Sequence, residues 1–129
     1  MIKNCTSLNQ SRKLLGFNID PDTADMSWTN MSRGDFNTDG KFRLNAKTVR
    51  EIRQFYDKDY PGWDGNWEVV PAWSLGALFA LLPDRYVIEK INDGSYACYN
   101  FFVGHECFGA TALEAVFAIV VSLREGDGG

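Results

Sequence analysis

The sequence predicts an α+β fold, a two-layer domain in which an antiparallel β-hairpin or sheet is covered by two apolar helices, with short helices at the N-terminus. Three observations predict it. Asn92-Asp93-Gly94-Ser95 separates two strand-like runs, Tyr86 to Ile91 and Tyr96 to Val103, and an Asp-Gly pair supplies the positive φ angles of a tight hairpin turn. Trp73 to Leu82 is apolar on nearly every side and is stopped by Pro83, as a buried central helix would be. Thr111-Ala112-Leu113-Glu114 is a capping-box pattern directly before Val116, Phe117, Ile119, Val120 and Leu123, which predicts a second buried helix. Helices segregated over an antiparallel sheet are the natural way to cover such faces.

Earlier in the chain, Ser7-Leu8-Asn9-Gln10 fits another capping box. Leu8, Leu14 and Leu15 supply an apolar stripe, and Gly16 is suited to end the helix in the left-handed conformation. Asp20-Pro21-Asp22 places a capping carboxylate before a proline, predicting one or two helical turns to about Asp25. Met26 to Met31 alternates apolar and polar residues like a half-buried strand, and Lys41 to Leu44 reads as a returning strand. Asn45 is the expected N-cap of a helix through about Tyr56, with Val49, Ile52, Phe55 and Tyr56 at helical spacing. The stretch 57–66 is loop chemistry loaded with rings, and the tail 125–129 is expected to fray.

The chain has 129 residues, 45% of them hydrophobic and 14% aromatic, so it is expected to fold as a single domain over 1–129, with 35–67 as an insert-like region. A net charge of -4 argues against coating nucleic acid through the overall field, although a local basic patch stays open. Cys5, Cys98 and Cys107 are an odd number, unlike a secreted disulfide framework. With no signal-peptide run and no apolar stretch long enough to span a bilayer, the expectation is a cytoplasmic protein away from the membrane.

Three segments carry a resemblance: Ser11-Arg12-Lys13-Leu14-Leu15; Asp20-Pro21-Asp22-Thr23-Ala24-Asp25-Met26; and Pro71-Ala72-Trp73-Ser74-Leu75 with Leu78, Leu81, Leu82 and Pro83. Together with the Thr111 to Ala115 helix start, they resemble small uncharacterised proteins of bacteriophages and mobile elements of gut Bacteroidota. The resemblance implies an accessory-gene setting and no assigned activity or site.

Candidate sites concentrate in 35–67. Asp35-Phe-Asn37-Thr-Asp39-Gly40-Lys41-Phe42 is similar to the first half of an EF-hand or dockerin calcium loop, in which Asp35, Asn37, Asp39 and the Lys41 carbonyl would supply oxygens. The closing position that should bring a bidentate carboxylate is Ala46, so calcium is at most a weakly held ligand and no other cofactor is implied. Lys47, Arg50 and Arg53 fall at successive helical spacings and would suit phosphates or an acidic partner. Tyr60, Trp63 and Trp67 place rings on a loop, where they bind partners or anchor the loop.

Cys98, His105 and Cys107 lack the spacing of a structural zinc site or a thiol nucleophile with its base. No phosphate-binding glycine loop or nucleophile elbow is present. Enzymatic activity therefore has no local support. The leading expectation is a non-enzymatic binding or adaptor protein of a phage or mobile element, with a protein partner. The alternatives are nucleic-acid binding by the basic helix or a weak calcium-binding module.

Overall fold

The structure is a computed structural model that describes residues 4–30, 42–59 and 68–127, without the side chains of 55–59 and 127. It is an α+β fold whose described residues form two antiparallel three-stranded sheets with helices packed around them. The chain divides into two compact units, Ser7–Trp73 and Met1–Thr6 with Ser74–Gly129. The strands near Met26 and Leu44 do not join the later hairpin but form a sheet of their own with a third strand.

In the Ser7–Trp73 unit, helix α1 spans Leu8–Gly16 behind the expected Ser7/Gln10 capping box. The helix ends at Gly16, but Gly16 is not left-handed as expected. The left-handed residue is Asn18, at φ 62; its N–H donates to the Leu15 carbonyl and that of Ile19 to the Leu14 carbonyl. Asparagine tolerates this conformation, and the buried Leu14 and Ile19 supply the apolar contact that accompanies such an end. Asp20 caps one 3₁₀ turn, Pro21–Thr23.

Strand β1, Met26–Thr29, is the centre of the sheet β2-β1-β3, between β2, Arg43–Asn45, and β3, Val69–Ala72. Sequence reading misses β3 because Pro71 breaks its pattern. Pro71 pairs with Ser27 on an edge strand, where a missing N–H is tolerated. Ser27 is fully buried and donates its hydroxyl to the Lys47 carbonyl at 2.7 Å, tying β1 to the chain before the next helix. Trp73, also fully buried, donates its indole N–H to Thr23 Oγ1 at 2.9 Å.

Helix α2 is Val49–Asp59, starting later than expected. Its cap is Thr48, whose hydroxyl accepts from the Glu51 N–H at 3.2 Å while Glu51 accepts from the Thr48 N–H at 3.0 Å. Asn45 instead accepts from the Lys47 N–H, turning the chain before the helix.

In the other unit, the expected helix from Trp73 to Leu82 shrinks to α3, Leu75–Phe79. Ser74 caps it by accepting from the Ala77 N–H, which leaves Trp73 outside. Tighter bonds from Leu81 to Leu78 and Leu82 to Phe79 then unwind the chain before Pro83. The second sheet has the order β4-β5-β6, with β4 Val87–Lys90, β5 Tyr96–Asn100 and β6 His105–Gly109.

The β4–β5 hairpin is where the sequence places it, with a different turn. Gly94 alone has positive φ (90), whereas Asp93 acts through its carboxylate, which accepts from the Ser95 N–H and hydroxyl. β5 ends at Asn100, so Phe101 to Val103 form a turn and β6, unforeseen, returns from it. Helix α4, Ala112–Asp127, is capped by Thr111 and continues through the expected frayed tail to Asp127.

Leu113, Ala115, Val116, Ile119 and Val120 bury one side of α4, which packs on β4, β5 and β6. At the β6–α4 connection Gly109 leaves no room for a side chain, because a Cβ there would lie 2.5 Å from the Ala115 nitrogen. Among the described residues, no helix is long and apolar enough to cross a membrane.

Gly109→Ala should destabilise the chain by about 1–3 kcal/mol in urea unfolding, because the α4 backbone has to move away. The hydrogen bonds from Thr48 lower the Glu51 pKa, so Glu51 contributes stability above the unfolded-state pKa that is lost as pH falls through the lowered one. Glu51→Gln should therefore flatten the loss of melting temperature on acidification relative to the unaltered chain.

Candidate functional site

Asp35, Asn37, Asp39 and Lys41 of the calcium-like loop lie outside the described residues, as do Tyr60, Trp63 and Trp67. Lys47 is exposed but precedes α2, so the three basic residues do not share one helix. Arg50 and Arg53 do. Arg50 is already committed to Asp22, with Nη2 to Oδ2 at 2.7 Å, which removes one cation from the expected anion-binding row.

The features that stand out lie elsewhere, on the β5–β6 hairpin. Its turn carries Phe101, Phe102 and Val103 at 84%, 70% and 70% exposure. Single exposed apolar residues are ordinary, but three in succession at a strand turn are a patch. The turn is held by the Asn100 carbonyl, which accepts from the Gly104 N–H, and by Asn100 Oδ1, which accepts from the Phe102 N–H at 2.9 Å. Gly104 sits at φ 71, which a side chain would resist.

Arg85 is also left-handed, at φ 79, and its guanidinium lies 4.5 Å from the centre of the Phe102 ring. A bulky residue in that region carries backbone strain, and the cation–ring contact offsets part of it. Beside the turn is a cavity of about 290 Å³ lined by Tyr99, Asn100, Phe101, Gly104, His105 and Glu106. That is the small end of ligand pockets, suited to a side chain.

His105 joins this hairpin to the helix. Its Nδ1 is 2.9 Å from the Tyr86 hydroxyl and its Nε2 is 2.9 Å from the Ser122 hydroxyl. The chain of serine, histidine and a third group has the outline of an activated nucleophile, but its surroundings lack the rest. Ser122 is inside α4, where backbone N–H groups are consumed by the helix and cannot hold a developing oxyanion. Burial raises the Tyr86 pKa, keeping the phenol neutral, so it cannot stabilise an imidazolium as a carboxylate does. The arrangement is a clamp between β6, α4 and the residue preceding β4.

Cys98 and Cys107 face each other across β5 and β6. Burial pushes the Cys98 thiol up to about 11, with Cys107 adding to the shift, and Cys107 is raised by burial too. Thiolates are disfavoured at both positions, the opposite of a reactive cysteine. Both nitrogens of His105 are engaged, and among the described residues no group of three His, Cys, Asp or Glu side chains could hold a metal.

The hairpin patch escapes sequence reading because Phe101 to Val103 looks like strand core. The flanking Asn100 and Gly104 are the turn signal that could have revealed it. If His105 is a clamp, Tyr86→Phe and Ser122→Ala should each cost about 0.5–1.5 kcal/mol in urea unfolding. Their double variant should cost less than the sum, since both act through one ring. No family model, curated protein or solved structure matches this chain.

Proposed function

We propose that this chain is a non-enzymatic binding or adaptor protein, of the phage or mobile-element kind its sequence resembles, that holds a protein partner through the tip of the β5–β6 hairpin. The observation that carries this is the run Phe101-Phe102-Val103, exposed at the end of a turn that is itself fixed by hydrogen bonds. Burying apolar surface is favourable by about 25 cal/mol per Å², so three bare side chains represent stabilisation that only an added surface can realise. Because the turn is already ordered, docking forfeits little conformational freedom. Aromatic anchors of this kind are the residues on which binding energy concentrates.

A partner isolated with the full chain from its native host should bind the F101S/F102S/V103S variant at least about tenfold more weakly, as loss of an anchor does. The variant's melting temperature should fall only by the small contribution of the Arg85–Phe102 contact, because the replaced side chains are otherwise exposed. Equal affinity would contradict the reading.

A further inference from the structure

Side chains alternate across a strand, so the pairing register sorts the β4-β5-β6 sheet into two faces. Ile88, Cys98 and Cys107 are opposite one another, and with Asn100, His105 and Gly109 they belong to the face on which α4 lies. The other face presents Val87, Tyr99 and Glu106 in one row and Glu89, Ala97 and Phe108 in the next.

This second face is open at its flanks, around a central Ala97 that is only 2% exposed. Val87 and Phe108 are 46% and 57% exposed, Glu89 and Glu106 are exposed, and Tyr99 is half-buried between them. It combines apolar side chains with two carboxylates, and none of its six residues is basic. At its end by the turn, Tyr99, Phe101 and Glu106 line the same cavity. A ring and a carboxylate converging on one small cavity are complementary to a guanidinium or ammonium, which stacks on the ring and pairs with the carboxylate.

We infer that the open face of this sheet recognises a polypeptide segment bearing arginine or lysine side chains among apolar ones, with one cationic side chain seated between Tyr99, Phe101 and Glu106. This rests on the binding reading above and names the partner's chemistry. Val87 and Phe108 cover the partner's apolar side chains, and Glu89 and Glu106 select for positive charge. The same preference is at work within the chain, where Phe102 holds the guanidinium of Arg85. Two carboxylates press on Tyr99 as well: Glu89 and, less, Glu106 raise its pKa, together with burial. Its hydroxyl therefore stays protonated.

The test uses the full ¹⁵N-labelled chain and two synthetic peptides, acetyl-Gly-Arg-Leu-Arg-Leu-Arg-Gly-amide and its counterpart with glutamate in place of arginine. The arginine peptide should shift the amide signals of 87–89, 97–99 and 106–108, and the glutamate peptide should not. E89Q/E106Q should weaken the arginine peptide about fivefold, as loss of two exposed charge pairs does. D25N/E125Q, which removes the same charge elsewhere, should leave it unchanged. Shifts confined to other residues, or equal weakening by both double variants, would overturn the inference. So would tip-dependent adsorption to phosphatidylcholine vesicles with no response to either peptide. If F101S/F102S/V103S abolishes binding of the native partner while E89Q/E106Q leaves it unaltered, the partner's assigned charge is wrong and the binding reading stands.

Discussion

The architecture of the Ser74–Gly129 unit depends on one contact, the close seating of α4 on a single face of the β4-β5-β6 sheet. Gly109 permits it, because its missing Cβ lets β6 approach the backbone of Glu114 and Ala115. Val116, Ile119 and Val120 then bury against the strands, and His105 bonds across to Ser122. A three-stranded sheet has two faces, and one helix covers only one of them. Val87 and Phe108, left on the other, are therefore exposed as a direct result of how the core is built, and the turn Phe101 to Val103 lies beyond the strands that α4 covers.

The two sheets solve the same covering problem differently. In Ser7–Trp73 the central strand β1 buries Ser27, Trp28 and Thr29 in succession. Their polar groups are supplied with partners, as in the bond from Ser27 to the Lys47 carbonyl. In the other unit β5 buries Ala97, Cys98 and Asn100, while its neighbours β4 and β6 keep Val87, Glu89, Glu106 and Phe108 at the surface. Among the described residues, the large exposed apolar side chains thus gather on the second sheet and its turn. A site there uses a rigid hairpin rather than a loop, which holds its geometry before any partner arrives.

Local chemistry was readable from the sequence wherever the controlling atoms lie within a few residues. The capping boxes at Ser7 and Thr111 and the β4–β5 hairpin are of this kind. Elements set by distant partners were not. β3 is a strand because Val69 to Ala72 pair with β1, despite Pro71, and Trp73 leaves the helix pattern to reach Thr23. The candidate site was hidden for a related reason: an apolar run has the same composition whether a helix covers it or nothing does. Charge and rings are concentrated in 35–67, yet Arg50 is matched by Asp22 at the surface.

The β4-β5-β6 sheet keeps one face covered by α4 and leaves Val87 and Phe108 of the other at the surface. Solvent paramagnetic relaxation of side-chain NMR signals, with a soluble gadolinium chelate and monomeric protein, tests it most directly. Strong broadening of the Val87 methyls and the Phe101, Phe102 and Phe108 rings is expected, with Val116 and Ile119 methyls untouched. Protection of Val87 and Phe108 to the same degree as Val116 and Ile119 would contradict it.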